Sequence, residues 1–198
     1  GWVHVVLHVS PAFLNAPCAQ SPVVCAVHDR HYRERKWGHG KALGREPARR
    51  TIEEHYAQAS NSSTYRGCLA VSDFRELCDR QDLDAIIVAT PDHWHALVAL
   101  TALQKGKDVY CEKPVTHHFA EGERLVREIA ARKAIFQTGS QQRSDPEFRQ
   151  AVELVRNCRL GTLERVEVGL GTGYDQPNGD SPVTSPPGAP DYAAGCGP

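Results

Sequence analysis

The stretch that most constrains this chain runs from Asp84 to Pro114 and reads DAIIVATPDHWHALVALTALQKGKDVYCEKP. Two short apolar runs, Ala85–Ala89 and Asp108–Cys111, flank a segment in which Trp94, Leu97, Val98 and Thr101 recur at spacings of three and four. That spacing is one face of a helix, and Gly106 supplies its stop. A strand, a crossover helix and a second strand form a parallel pair, because a hairpin joins antiparallel neighbours in a few residues and a helix does not. Each strand runs out into polar residues, Thr90-Pro91-Asp92-His93-Trp94-His95 after the first and Glu112-Lys113-Pro114 after the second. In open α/β sheets the carboxyl edge of the strands is where ligands bind.

The rest of the chain repeats this alternation. Val3–Val9, Pro22–Val27 and Ala134–Thr138 have the apolar or β-branched character of further strands. Residues Arg30–Gln58 are charged and mostly helix-compatible, interrupted by Gly38, Gly40, Gly44 and Pro47. The basic residues among them, including Arg30, Arg33, Arg35, Arg45, Arg49 and Arg50, are expected on a solvated face. Ser72 is placed to cap a helix over Asp73–Arg80, and Thr116 to cap one over Phe119–Lys133, with Leu125, Val126 and Ile129 as its apolar stripe. Asp145 opens a helix to about Asn157 that is expected to turn Phe148, Val152 and Val155 inward, with Gly161 closing it. Leu163–Leu170 alternates as a half-buried strand would, and the Pro-, Gly- and Asp-rich stretch after Gly171 reads as a loop. The pattern predicts an α/β fold, a mainly parallel sheet with helices on both faces.

Composition narrows the function classes. The 198 residues carry a formal net charge of −1, and no apolar run approaches a membrane-spanning length, so neither nucleic acid nor a membrane is an expected partner. The 7 cysteines are odd in number and form no CxxC pair, which points to reduced thiols and a cytoplasmic setting. Met is absent, read here as a processed start or a piece of a longer frame. The first residues lack the charged region of a secretory leader.

Three strand ends and one earlier position are candidates for chemistry. Lys113, at the end of a buried strand, is expected to be desolvated and able to donate to a substrate hydroxyl or move its proton; an exposed charged turn is the alternative. Thr90 and the free N–H groups at the following helix start can face a bound cofactor. His93 and His95, with Cys111 or His117, are a weaker metal candidate, because two His two residues apart at a helix start point to different sides. Gly139-Ser140-Gln141-Gln142-Arg143 suits a polyhydroxylated ligand or is a plain polar loop. Asp29, after the second strand, stands where a ribose hydroxyl is held, or is a solvated strand-end carboxylate. The Gly-rich turn of a dinucleotide fold is missing after the first strand, where Ser10–Asn15 reads SPAFLN.

Taken in order, ATPDHWH, GKDVYCEKP, GSQQRS and YDQPNGD, with YRGC ahead of DFREL, closely resemble the Gfo/Idh/MocA family of oxidoreductases. The resemblance covers roughly Pro22 to Pro198. It implies a Rossmann-type domain that binds NAD or NADP over residues 1–161, and at 162–198 the beginning of a second, incomplete α/β domain for substrate and oligomerisation. It implies hydride transfer at a sugar, cyclitol or related polyol carbon. By matching position, Asp29 would hold the adenosine ribose, with Arg30 beside it. Thr90, Pro91 and His95 would line the cofactor cleft, and Glu112 and Lys113 would lie beside the nicotinamide. Lys113 would be the catalytic residue that orients the substrate hydroxyl and assists its proton. Gln141 would touch cofactor and Arg143 substrate. Asp29 favours NAD slightly, and Arg30 can reverse that preference. Relatives that pair through the second domain's sheet leave a homo-oligomer open. A non-catalytic nucleotide-binding remnant and an NAD-dependent glycosidase of the same family are the competing readings.

Overall fold

The computed structural model describes residues 3–6, 14, 20–32 and 42–169. They fall into two compact units, one up to Gly139 and one from Ser140 onward.

In the first unit the strands are β1 (Val3–Val6), β2 (Val23–Cys25), β3 (His31–Tyr32) and β4 (Ala42–Leu43), followed by helix α1 (Arg45–Ala59) and strand β5 (Leu69–Val71). Helix α2 (Phe74–Asp79), strand β6 (Ala85–Val88), helix α3 (Asp92–Gln104), strand β7 (Asp108–Glu112), helix α4 (Phe119–Arg132) and strand β8 (Phe136–Gly139) complete it. β3 and β4 pair antiparallel on their own. The other six strands form one sheet in the order β5-β2-β1-β6-β7-β8, and every described pairing in it is parallel. Setting the β3–β4 pair aside, the chain winds outward from β1 to one side and then to the other. That is the doubly wound order of a Rossmann sheet, whose direction reverses between β1 and β6.

The sheet is covered on both faces. Val23 and Cys25 of β2 pack in one core with Leu77, Cys78, Val98, Ala99 and Leu103, while Val24, between them in sequence, packs with Ile52, Leu14 and Cys68. Successive strand residues point to opposite faces, so α1 lies on one face and α2 and α3 on the other. β6 is buried over Ile86, Ile87 and Val88, the continuous apolar run of a central parallel strand.

The structure corrects several local expectations. Within the long charged segment α1 begins at Arg45, directly after Gly44, which takes a left-handed φ of 111°. The cap of α2 is Asp73, whose carboxylate accepts the Arg75 N–H at 2.8 Å, in place of Ser72. At α4 the N-cap is His118, not Thr116, and Glu121 reaches back to accept the N–H groups of His117 (2.8 Å) and His118 (2.9 Å). Those two donors hold the Glu121 carboxyl below the usual carboxylate range. α3 buries His95, Ala96, Val98, Ala99, Leu100, Ala102 and Leu103, and so is enclosed nearly all round where a single stripe was expected. On α4, Leu125 is buried but Val126 is exposed.

The second unit contains a 3-10 turn (Gln141–Ser144) and helix α5 (Pro146–Arg156). Asp145 caps α5 as expected, accepting from Glu147 N–H at 3.0 Å. Phe148, Val152 and Val155 are exposed, against the expectation that they face inward. Residues 163–169 are exposed and belong to no strand among the described residues, where a half-buried strand was expected. Both differences have one cause: the described part of this unit holds no opposing sheet. The start of the Gly-poor turn after β1 and the YDQPNGD stretch lie outside the described residues.

Candidate active site at the carboxyl edge of the sheet

Register aligns the strand ends. Val71, Cys25, Val6, Val88 and Cys111 are successive partners across the sheet, and Glu112 pairs with Gly139. The residues that follow β2, β6 and β7 therefore emerge on one carboxyl edge. This places Asp29, Thr90 and Lys113 along the same rim, with the β1–β6 boundary, where the winding reverses, at its centre.

Thr90 ends the turn from β6 into α3. Its Oγ1 is buried and has no hydrogen-bond partner. Pro91 caps α3 without a side-chain bond, and the Trp94 N–H donates to its carbonyl at 2.9 Å. A buried hydroxyl without a partner costs roughly 1–3 kcal/mol, which a ligand reaching it would recover. His93 Nε2 is likewise buried and unpartnered.

His95 is 1% exposed and its ring lies between two loops. Nε2 is 2.7 Å from the Thr90 carbonyl and Nδ1 is 2.5 Å from the Pro114 carbonyl. A carbonyl only accepts, so both contacts are hydrogen bonds when both nitrogens carry protons. The ring is thus committed to backbone, where a side chain lining a cofactor cleft was expected, and it ties the turn after β6 to the turn after β7. The Lys113–Pro114 peptide it braces is cis.

Lys113 is exposed. The desolvation expected of it is absent because it lies one residue past the last residue of β7. Glu112, still in the strand, packs against Gly139: a Cβ there would stand 2.8 Å from Glu112 Cδ and 2.9 Å from its Cα. Only glycine lets β8 approach Glu112 this closely. Gln141 and Arg143 belong to the second unit, on its 3-10 turn, and both are exposed.

Asp29 and Arg30 are exposed after β2. The Asp29 carboxylate pairs through Oδ1 with the Arg45 guanidinium. Reading the sequence as a solvated basic face missed Arg45, which is folded back onto the strand. No local signal marks it, because the contact depends on Gly44 turning the chain.

Among the described residues no group of three or more His, Cys, Asp or Glu side chains could hold a metal ion. His95 is engaged by carbonyls, and Cys111 is buried with its thiol pushed up to about 12. Among the described residues no helix is long and apolar enough to cross a membrane.

A model of the Gfo/Idh/MocA oxidoreductase family, NAD-binding Rossmann fold, matches residues 44–140. Inositol 2-dehydrogenase 4 of Saccharopolyspora erythraea is 36% identical over 100 residues, covering 50% of this chain and 29% of that protein. Inositol 2-dehydrogenase of Leifsonia xyli is 33% identical over 113 residues, 57% of this chain and 33% of that protein. The chain therefore spans about a third or less of the length of these relatives. Among solved structures, scyllo-inositol dehydrogenase from Lactobacillus casei with bound NAD(H) and scyllo-inositol superposes with a TM-score of 0.57 at 19% identity, over 81% of this chain and 42% of that one. A 3-ketoreductase from Actinomadura kijaniata in complex with TDP-benzene and NADP gives 0.55 at 20% identity, over 79% and 43%. At such identities the likeness is one of fold, and it agrees with the strand order seen here. Residues 44–140 of this chain are thus similar to the NAD-binding Rossmann fold of the Gfo/Idh/MocA oxidoreductase family.

Proposed function

We propose that this chain is the cofactor-binding part of an NAD(P)-dependent oxidoreductase that acts on a cyclitol, sugar or related polyol by hydride transfer. The observation that carries the reading is the buried, unpartnered Thr90 Oγ1 at the strand-end rim. An orphaned hydroxyl at the switch point of a doubly wound sheet fits a dinucleotide, which brings hydroxyl and phosphate acceptors to that edge. The inositol 2-dehydrogenases among the relatives support the substrate class.

In this reading the nicotinamide, when bound, supplies the hydride acceptor or donor. Thr90 Oγ1 donates to it from the end of β6, and the Asp29 carboxylate takes a ribose hydroxyl. Pro91 and Glu112 shape the cleft on either side of the His95 brace. Lys113 Nζ, exposed at the mouth, donates to the substrate oxygen and holds its proton as the carbon changes oxidation state. For Gln141 and Arg143, exposed on the second unit's 3-10 turn, the family resemblance implies a cofactor and a substrate contact respectively. Residues 1–161 are then the cofactor domain and 162–198 the beginning of the substrate domain. The cytoplasm is the compartment proposed, in keeping with the buried free thiols of Cys25, Cys68, Cys78 and Cys111.

The test is turnover. The protein is expected to reduce NAD or NADP in the presence of an inositol or an aldose, and Lys113→Ala to lower kcat by about 100-fold or more while leaving the nucleotide Kd within about threefold. Equal turnover by Lys113→Ala would remove Lys113 from the chemistry.

A further inference from the structure

The end of β2 is organised around Arg45. One guanidinium nitrogen donates to the carbonyls of Ala26 (2.5 Å) and Val27 (3.3 Å), and the other to Asp29 Oδ1. The Arg45 side chain is 14% exposed and that of Asp29 65%. The start of α1 is joined to the same strand end, with the Arg45 N–H donating to the His28 carbonyl at 2.9 Å and the Glu46 N–H to the Asp29 carbonyl at 3.0 Å. Gly44 permits this approach: a Cβ there would stand 2.8 Å from the His28 oxygen and 2.9 Å from the Asp29 oxygen. Backbone and side chain together hold the cation against the carboxylate.

A carboxylate alone at this position binds the ribose hydroxyls of NAD and repels the 2′-phosphate of NADP. A carboxylate in contact with a guanidinium presents little net charge, so an approaching phosphate meets a largely offset anion in place of a bare one. Resting on the nucleotide reading above, we propose that Arg45 is a specificity-determining residue that acts through Asp29. By offsetting the Asp29 charge it lets this chain accept NADP alongside NAD.

Calorimetric titration of the protein with NAD and with NADP tests this in the wild type, Arg45→Met, Arg45→Lys, Asp29→Asn and the Arg45→Met/Asp29→Asn pair. The two wild-type Kd values are expected within about tenfold of each other. Arg45→Met is expected to shift the ratio toward NAD by about tenfold, Arg45→Lys by less than about threefold. The Arg45→Met/Asp29→Asn pair removes both charges and is expected to return the ratio to within about threefold of the wild type. Asp29 is exposed, so Asp29→Asn folds irrespective of the fate of Arg45→Met, and by uncovering the Arg45 cation it is expected to shift the ratio toward NADP by about tenfold. An unchanged ratio in Arg45→Met, or in Asp29→Asn, would overturn the proposal. Wild-type binding of NAD with NADP excluded by about 100-fold would overturn it while leaving the nucleotide reading intact. Binding of neither nucleotide would overturn both.

Discussion

His95 Nδ1 lies 2.5 Å from the carbonyl oxygen of Pro114, and this contact joins the first turn of α3 to the turn that presents Lys113. With Nε2 at the Thr90 carbonyl, one buried ring ties two neighbouring strand ends together. His95→Ala leaves a cavity and takes the ring's N–H away from the carbonyls it faces, so it is expected to lower stability by roughly 2–4 kcal/mol. Urea unfolding would measure this; a loss below about 0.5 kcal/mol would mean the ring is not a brace.

Gly139 is the second fixed point of the rim. In Gly139→Ala the new Cβ meets both the Cα and the carboxyl of Glu112, and the Cα belongs to paired strand that cannot step aside. The expected cost is about 1–3 kcal/mol, together with weaker nucleotide binding as Glu112 shifts. An unchanged unfolding midpoint would show that β7 and β8 separate freely.

The four buried thiols predict a pattern of reactivity. Burial pushes Cys25, Cys68, Cys78 and Cys111 up to about 12, so they stay protonated and unreactive at neutral pH. Cys158 is exposed. A disulfide reagent at neutral pH is expected to label Cys158 rapidly and those four only on unfolding, as read by peptide mass spectrometry.

The same shifts set the sign of a pH effect. Below about pH 8.5 folded and unfolded chains both keep these thiol protons. Between there and about 12 the unfolded chain loses them first, so stability present at neutral pH declines as pH rises through that window. Thermal melts at stepped alkaline pH should show Tm falling, with a smaller fall in Cys25→Ala.

Much of this fold is legible before any coordinates. The runs at 85–89 and 108–111 read as buried parallel strands because such strands are apolar throughout, and the Asp145 cap is a local signal that local structure obeyed. The rim residues Thr90 and Lys113 are legible for the same reason, since they follow directly from where the strands end. What was not legible depends on distant contacts. His95 looks like a ligand residue until two carbonyls, five and nineteen positions away, are seen to enclose it. Arg45 looks like one more surface cation until Gly44 turns it onto Asp29. The inward faces assigned to α5 and to residues 163–169 failed because periodicity marks an apolar side and says nothing of what lies opposite.

The most direct test of the central claim is a calorimetric titration of this chain and its Thr90→Val variant with NAD. The account predicts saturable binding to the wild type and an affinity about two- to tenfold lower in Thr90→Val, the worth of one hydrogen bond from Oγ1. Equal affinity in the two proteins, or no binding to the wild type, would contradict a dinucleotide at the carboxyl edge between β1 and β6.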